Sequence, residues 1–384
     1  MVFNFSLLFR VVYKSLFKTR GTHARLTPKR IFVLLISALL YGFIEIAAWI
    51  GFFLDGIFFP GYRKQEIRKP IFILGPPRSG TTYLHRLLAQ DASRFSSMKL
   101  WEIWLAPSVT QKNFFKALGA LDSLCGSPLY RLVSAIEKSM YKDLSGIHPT
   151  SMFEADEDNI VLMHIFSSGG GFLMLPFLEE FRPYLYFDEE LPAPQRKRIM
   201  EFYKRCVQSH LYVFGKNKQF LSKNPIFSTL VQSLNETFPD AKFVYIARTP
   251  FETIPSALSL TSHYFNSVMS PLHLCPFIDE QIDIIARCYN YPLMKFQELP
   301  LDRQRIIRYT DLVEHPAQTV TDLCASFGLE MTPAYTQLLE KKQGKAQRFT
   351  RNHEYSLEKF GLTREVIIEK CAAVFDRFGF EKNA

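Results

Sequence analysis

Apolar residues near the start of the chain recur at the spacing of an α-helix. Leu7, Leu8, Val11 and Val12 stand three or four positions apart, and every charged residue among the first thirty is basic. This pattern is typical of an amphipathic helix whose polar face suits anionic surfaces. We therefore predict that residues 1–30 form a basic amphipathic segment.

The following stretch, residues 31–54, is almost continuously apolar, and Glu45 is its only charged residue. It is long enough to cross a hydrocarbon layer of roughly 30 Å. A carboxylate near the middle costs about 2–3 kcal/mol on insertion scales, so an in-plane helix and a helical hairpin buried against the rest of the protein stay open as alternatives. We predict a hydrophobic membrane-associated segment over 31–62, with residues 1–62 in contact with a membrane surface.

Downstream of these segments, the pattern predicts one large α/β domain over residues 63–384. Short apolar runs rich in β-forming residues alternate with stretches at helical spacing, and a helical lid is predicted over roughly 110–215. Such alternation favours a central parallel sheet with helices on both faces. The predicted strands lie near residues 70–75, 219–222, 242–247 and 304–309.

Composition narrows the class of partner without choosing one. Hydrophobic residues make up 47% of the 384 positions, which excludes a disordered chain. The formal net charge is +9 and the isoelectric point about 9.1. An excess of cations favours an anionic partner, which could be nucleic acid, anionic lipid or a phosphorylated cofactor.

The first candidate for chemistry is a glycine-containing turn between a predicted strand and a predicted helix, at residues 75–82. A turn that opens a helix directs free backbone N–H groups and the positive end of the helix dipole at one point, which suits a phosphate. Compared with the ATP-binding pattern G-x-x-x-x-G-K-[ST], the chain keeps Gly75, Gly80 and Thr82 but has Thr81 at the lysine position. The missing lysine disfavours a kinase or ATPase.

Arginines stand in this turn and at the end of a later strand. Arg78 lies inside the turn, and its planar guanidinium can bind two anionic oxygens at once. Arg248 follows the predicted strand at 242–247, where a nucleotide hydrolase would place an acidic residue for Mg²⁺. Ser256 follows eight residues later. The pattern predicts an anion site without a metal.

Together, Pro77-Arg78-Ser79-Gly80-Thr81-Thr82 and the Arg248/Ser256 pair resemble the two cofactor motifs of the sulfotransferases that use 3′-phosphoadenosine 5′-phosphosulfate (PAPS). The resemblance implies a loop that holds the 5′-phosphosulfate and a pair that grips the 3′-phosphate. It also implies a tyrosine near the adenosine and a basic segment, residues 341–351, that closes over the cofactor. The cofactor-binding residues implied in this way are Arg78, Ser79, Gly80, Thr81, Thr82, Arg248, Ser256 and Tyr309.

Catalysis of sulfonyl transfer requires cations near the leaving oxygen and a base for the acceptor proton. By resemblance to a Lys-x-Pro motif of some branches, Lys223 takes the first role with help from Arg78. Glu102 is our preferred base, because related branches carry a glutamate at a similar place. His148 and an acidic run that includes Glu154, Asp156, Glu157 and Asp158 are rivals.

The sequence thus predicts a membrane-associated sulfotransferase that moves the sulfonate of PAPS to a hydroxyl or amine. The acceptor is expected to be a small molecule, lipid or glycan, and nucleic acid is not an expected partner. The catalytic domain is expected in the cytoplasm of a bacterial cell or in the Golgi lumen of a eukaryotic one. The alternatives are a P-loop nucleotide kinase or NTPase and a non-catalytic, membrane-anchored nucleotide-binding protein.

Overall fold

The computed structural model describes residues 2–140, 151–273, 275–346 and 357–382. Its centre is a sheet of five strands, all paired in parallel. The predicted α/β class with a central parallel sheet and flanking helices is confirmed. The strands are β1 Ile71–Leu74, β2 Phe95–Ser96, β3 Gln219–Lys223, β4 Lys242–Ala247 and β5 Gln304–Arg308.

Helices connect and cover these strands. The first nine α-helices are α1 Phe5–Phe17, α2 Pro28–Phe58, α3 Thr81–Leu88, α4 Leu100–Leu105, α5 Val109–Leu124, α6 Pro128–Met140, α7 Leu178–Leu185, α8 Phe187–Glu190 and α9 Ala193–Phe214. The remainder are α10 Val231–Thr237, α11 Pro250–Val268, α12 Ile278–Lys295, α13 Tyr309–Glu314, α14 Pro316–Ser326, α15 Pro333–Ala346, α16 Arg364–Lys370 and α17 Ala372–Phe378. Two 3₁₀ helices, Asp158–Ile165 and Gly169–Leu173, interrupt the predicted lid region, which is otherwise helical in its described part.

The strand order, β2-β3-β1-β4-β5, puts β1 at the middle of the sheet. Strands β2 and β3 lie on one side of β1, and the later strands β4 and β5 lie on the other. The direction in which strands are added to the sheet therefore reverses at β1. Ligands of open α/β sheets bind outside the carboxyl ends of the strands at such a reversal. The loop after β1 therefore lies where a bound anion is expected.

Both faces of the sheet are buried, as parallel sheets require. Phe72 and Leu74 of β1 pack into a large cluster with β4 residues such as Phe243. Ile71 and Ile73 face the other way into a second cluster under α3 and α14. This period-two alternation holds β1 rigidly in the sheet, so the loop that follows it starts from a defined position.

At the N-terminus the structure has two helices. The predicted amphipathic segment contains α1, and the apolar segment is one continuous helix, α2, that begins with the Thr27 hydroxyl accepting from the Arg30 N–H at 3.2 Å. Among the described residues, α2 is the one helix long and apolar enough to cross a membrane.

Candidate active site

The loop after β1 is held in an unusual backbone shape. The Gly75 N–H donates to the Ser228 hydroxyl at 3.0 Å, which ties the loop to the segment after β3. Arg78 has φ +68° and Gly80 has φ +93°, both in the left-handed region. Gly80 is the N-cap of α3, so the two left-handed residues turn the chain sharply from strand into helix.

Ser79 makes this loop suitable for an anion. Its side chain is fully buried, and its hydroxyl has no hydrogen-bond partner among the described residues. Gly80 offers no side-chain cap to α3, so the first N–H groups of that helix also need an outside acceptor. A buried donor without a partner costs roughly 1–3 kcal/mol. An anionic oxygen at the start of α3 would satisfy these groups together, which fits the predicted phosphosulfate role.

Tyr309, which opens α13 after β5, closes one side of the loop. A Cβ atom at Gly80 would lie 2.8 Å from Cδ2 of the Tyr309 ring, so this close approach requires glycine. The guanidinium carbon of Arg248 lies 4.3 Å from the centre of the same ring. The predicted loop, arginine and tyrosine are therefore stacked on one another, although they are far apart in sequence.

The two predicted phosphate motifs touch directly. The Arg248 guanidinium donates to the Arg78 carbonyl oxygen at 2.7 Å, and the Arg78 Nε donates to the Ser256 hydroxyl at 3.0 Å. Arg248 also pairs with Glu252 in the first turn of α11. Arg248 and Ser256 are both buried. Two guanidinium groups held in this way form a concentrated positive site at the carboxyl end of β4.

Lys223 ends β3 at the same edge of the sheet, since Ile73 of β1 is its neighbour in the parallel register. Its side chain is 1% exposed, and its ammonium group lies 3.0 Å from Glu157 Oε1 and 3.9 Å from Asp156 Oδ1. Burial of a lysine is costly unless it is paired, so these carboxylates hold the ammonium in place. A fixed cation beside an acidic group is the arrangement that leaving-group stabilisation and proton removal require.

Glu102, the base preferred from the sequence, is enclosed and already has hydrogen-bond partners. It lies in α4 and is buried, and its carboxylate binds His210 Nδ1 at 2.7 Å and the Lys99 N–H at 3.1 Å. Burial alone would raise the pKa of Glu102, but the His210 ring, Lys112 and the Lys99 N–H together lower it below its usual value. The other ring nitrogen of His210 lies 2.8 Å from the Ser96 hydroxyl.

Of the rival base candidates, Asp156 and Glu157 lie beside Lys223, whereas Glu154 has a different partner. Glu154 pairs with Arg86 at 2.7 Å in an exposed ion pair. His148 and residues 347–351 of the predicted closing segment lie outside the described residues, and residues 341–346 form the end of α15. Thr81 and Thr82 begin α3 as expected. The structure therefore gathers Arg78, Ser79, Gly80, Thr81, Thr82, Lys223, Arg248, Ser256 and Tyr309 at one edge of the sheet.

Two residues named among the rival bases, Asp156 and Glu157, could not be singled out from the sequence. Asp156 and Glu157 belong to an acidic run, and a run of acids before a helical segment is also typical of helix-dipole compensation. The run is placed against the sheet because the Asp156 N–H donates to the Met98 carbonyl at 3.3 Å and Leu100 donates to Glu154. No local pattern reports that pairing between distant segments.

Asp158, next in the run, is fully enclosed beneath Lys223. It accepts hydrogen bonds from the Tyr203 hydroxyl at 2.6 Å and the Ser222 hydroxyl at 2.9 Å. Burial raises its pKa from the ordinary 3.8 to about 7, and the two hydroxyls oppose that rise only in part. Below about pH 7 the protonated form is therefore favoured in the folded state.

The free energy of unfolding is expected to fall as the pH rises towards 7. At pH values between the ordinary pKa of Asp158 and the raised one, the folded chain binds more protons than the unfolded chain. The free energy of unfolding therefore falls by about 3 kcal/mol between pH 5 and pH 8. Asp158→Asn should flatten this dependence in urea unfolding, whereas Asp376→Asn, at an exposed position, should not. An equally steep dependence in Asp158→Asn would contradict the assignment.

A metal centre receives no support from the described part of the chain. Within residues 2–140, 151–273, 275–346 and 357–382, no group of three or more His, Cys, Asp or Glu side chains is arranged to hold an ion. The charged groups at the carboxyl edge of the sheet are instead arginines, a lysine and its carboxylate partners.

Comparison with known proteins gives a consistent assignment. The Stf3 proteins of Mycobacterium bovis and Mycobacterium tuberculosis, omega-hydroxy-beta-dihydromenaquinone-9 sulfotransferases, are each 28% identical over 326 residues, covering 82% of this chain and 76% of the relative. The fold matches the crystal structure of sulfotransferase STF9 from Mycobacterium avium with TM-score 0.76 and 18% identity, over 98% of this chain and 91% of that one. The fold also matches the crystal structure of sulfotransferase STF1 from Mycobacterium tuberculosis H37Rv, with TM-score 0.68 and 22% identity, over 96% of this chain and 91% of that one.

A model of the sulfotransferase family matches residues 70–168 and 173–333, which include the anion loop, Lys223, Arg248 and Tyr309. The match spans the central sheet and most of the lid region. This chain belongs to the sulfotransferase family.

Proposed function

We propose that the protein transfers the sulfonate group of PAPS to a hydroxyl of a lipid-like small molecule. The observation that carries the choice of donor is the direct contact between the two arginine-containing motifs, Arg248 to Arg78 and Arg78 to Ser256. PAPS carries anionic groups at both its 5′ and 3′ positions, so a ligand with two separate anionic ends matches this double cation site. The loop lacks the lysine that ATP-dependent phosphoryl transfer uses.

The lipid-like acceptor is supported by the relatives. The Stf3 proteins are named for an ω-hydroxylated menaquinone, which has a hydroxyl group on a long apolar molecule. The N-terminal region of this chain also exposes a long apolar helix face. We therefore favour an O-sulfonated apolar acceptor over a glycan or an amine.

Lys223 and Arg78 are proposed to stabilise the leaving group. In the reaction the acceptor oxygen forms a bond to sulfur, the bond from sulfur to the 5′-phosphate oxygen breaks, and negative charge grows on that phosphate. Cations held in a water-poor site stabilise such charge without rearrangement. Lys223 is held by Glu157 and Asp156, and Arg78 by Ser256.

For the base we propose Glu157 in place of Glu102. The acceptor hydroxyl must lose its proton as the oxygen–sulfur bond forms, and Glu157 is 3.0 Å from Lys223 and 28% exposed at its side chain, so a ligand can reach it. Glu102 is 3% exposed, and its carboxylate is engaged by His210 and Lys99. A carboxylate with a lowered pKa is also a weaker proton acceptor.

The donor assignment is tested by thermal unfolding of the purified protein with three nucleotides. The reaction product 3′-phosphoadenosine 5′-phosphate (PAP) is compared with ATP and with adenosine 5′-phosphosulfate, which lacks the 3′-phosphate. A ligand at 100 times its Kd adds about 2.7 kcal/mol to the free energy of unfolding. Selective stabilisation by PAP is expected. Preference for ATP, with Mg²⁺-dependent ATP turnover, would instead establish a nucleotide kinase or NTPase.

Arg248→Ala is expected to abolish most of the PAP-induced stabilisation. Arg248 supplies the buried guanidinium at the proposed 3′-phosphate position, and loss of a buried charge partner costs about 2–5 kcal/mol. Arg205→Ala is the matched control, because Arg205 also pairs with a glutamate one turn away but lies half-exposed on α9. An unchanged PAP shift in Arg248→Ala would remove this residue from the cofactor site.

Transfer itself is tested by incubating the enzyme with labelled PAPS and a panel of hydroxylated apolar acceptors. PAP binding without transfer to any member would favour a non-catalytic nucleotide-binding protein. Residues 1–62 are proposed to bring the enzyme to a membrane, and the catalytic domain is proposed to face the cytosol in a bacterial cell, where PAPS is made.

A further inference from the structure

Helix α2 has two chemically distinct faces. At positions 31–54 every exposed residue is apolar, and the most exposed of these include Phe32, Leu39, Phe43 and Phe53. Three of its charged residues, Arg30, Glu45 and Asp55, are buried against the rest of the protein, and Lys29 in its first turn is exposed. A helix inside a globular core would be buried all round, and a surface helix would expose polar groups. Helix α2 does neither.

The buried face is attached to the catalytic body at its beginning. The guanidinium of Arg30 donates to the carbonyl oxygens of Val268 at 2.6 Å and Met174 at 3.2 Å. Val268 ends α11, the helix that also carries Ser256. The first turn of α2 is therefore anchored to an element of the proposed active site.

The middle and the end of α2 are attached as well. Glu45 binds His164 Nδ1 at 2.8 Å, and His164 Nε2 lies 2.8 Å from the Ile103 carbonyl oxygen. Asp55 accepts from the Val109 and Thr110 N–H groups at 2.7 Å each, and so caps the start of α5.

A close backbone approach lies between these anchors. A Cβ atom at Gly51 would collide with the Ser108 hydroxyl. Helix α2 is thus packed tightly on the residues that precede α5, and this packing depends on the absence of a side chain at position 51.

These anchors decide the orientation of the helix. From Arg30 to Asp55 the helix rises about 38 Å, which exceeds the roughly 30 Å of a bilayer's hydrocarbon. If α2 crossed that layer, the residues bound along its whole length, from Val268 to Val109, would lie in hydrocarbon too. They belong to the body that contains the sheet and its charged site, which needs water around it.

We propose that α2 lies in the plane of a lipid bilayer, with its exposed face in the hydrocarbon and its charged face on the catalytic body. The inference rests on the proposed membrane association and adds that the protein binds one leaflet without crossing it. In this orientation Glu45 and Asp55 serve as attachment points and never enter the lipid.

Lipid fits the exposed face better than a second protein does. Protein interfaces have a polar rim and about one hydrogen bond per 100–200 Å². The exposed positions between 31 and 54 offer no polar side chain, so they match a hydrocarbon phase. Helix α1 adds exposed Phe9 and Phe17, and α5 adds exposed Phe114 and Leu121.

Charge next to the apolar face also favours an anionic leaflet. Four cations, Lys18, Arg20, Arg25 and Lys29, are exposed in or beside the connection between α1 and α2. No acidic residue occurs in the first thirty positions to neutralise them. Basic residues at a bilayer surface contribute attraction to anionic headgroups.

The geometry is tested first by flotation of the full chain with vesicles. Vesicles of phosphatidylcholine with about one third phosphatidylglycerol are expected to carry the protein, and pure phosphatidylcholine less of it, as charge attraction requires. Leu39→Glu with Phe43→Glu should reduce binding at least ~10-fold, since both side chains are more than two thirds exposed on α2. Leu301→Glu is the control, because Leu301 is 87% exposed outside this surface.

Each outcome bears on the proposal. The PAP-induced thermal shift should be retained in every variant, which shows that the catalytic body is folded and separates this test from that of the donor. No vesicle binding by the unaltered protein would overturn the membrane association. Undiminished binding by the α2 variant would place the membrane face elsewhere, and conversion from dimer to monomer in that variant would show that a second copy covers the face.

Side-specific labelling distinguishes an in-plane helix from a spanning one. With the exposed Cys125 changed to Ser, single cysteines at Arg20→Cys and Gly61→Cys flank α2 at exposed positions. In sealed membrane vesicles from expressing cells, an impermeant maleimide should reach both cysteines from the same side. Labelling from opposite sides would establish a transmembrane helix and overturn the proposal.

Discussion

Replacing Lys223 with methionine is expected to lower the turnover number by about 10²–10³-fold, the usual effect of removing one preorganised group that stabilises transition-state charge. Methionine keeps most of the volume of the lysine stem, so the buried site at the end of β3 should stay packed. Glu157, the partner left behind, is partly exposed and can be solvated. The measurement is single-turnover transfer from PAPS to an acceptor.

Lys242→Met provides the matched control for this prediction. Lys242 is also a largely buried lysine on a central strand, but it stands at the start of β4 and donates to the Phe327 carbonyl at the opposite edge of the sheet. Its replacement should leave turnover within a few-fold of the original. PAP binding should persist in both variants. If Lys223→Met also keeps its turnover, the leaving-group role would have to pass to Arg78.

Glu157→Gln is expected to lower turnover by about 10²-fold, the lower end of what general base catalysis contributes. Glutamine keeps the shape and the contact with Lys223 but cannot accept the acceptor's proton. The pH profile of kcat/KM separates this role from simple positioning of the lysine, because only loss of the base removes the rise of the rate as the carboxyl ionises. Glu157→Asp, which retains the carboxylate, should recover part of the rate.

Glu102→Gln decides between the two candidate bases. If Glu157 is the base, Glu102→Gln should lower stability, because it leaves buried His210 without its carboxylate partner, while folded enzyme keeps its rate. If instead Glu102→Gln removes the ascending limb of the pH profile and Glu157→Gln does not, the base is the residue expected from the sequence alone.

Local pattern was sufficient for four of the five strands and for the anion loop, but it did not predict the short strand β2, Phe95–Ser96. The apolar run Ile71–Leu74 followed by a glycine-containing turn specifies a buried strand and the start of a helix. Local effects are enough for this, because they are the burial of apolar side chains, the backbone freedom of glycine and the unpaired N–H groups of a helix start. The same holds for Arg248 at the end of β4, because the position follows directly from the strand's length. Four predicted strands accordingly match the structure within about two residues, the usual uncertainty of element ends.

Contacts between distant segments were beyond such patterns. The sequence marks an acidic run but does not say which of its members reaches Lys223, since that depends on how residues 98–100 pair with 154–156. Likewise, Gly80 looks like a loop glycine, whereas its need for glycine arises partly from the ring of Tyr309, which follows another strand.

The apolar segment shows most clearly which properties follow from the sequence and which depend on the tertiary structure. The sequence by itself determined that residues 31–54 form one apolar stretch with a single charged residue, which must either be buried with a partner or be costly in lipid. Hydropathy and helical spacing are properties of the residues themselves. Only the tertiary structure decided which way that helix faces, by pairing Glu45 with His164 and Asp55 with the start of α5. A charge in an apolar helix is expensive until a partner is found, and the partner comes from a part of the chain that only folding brings near.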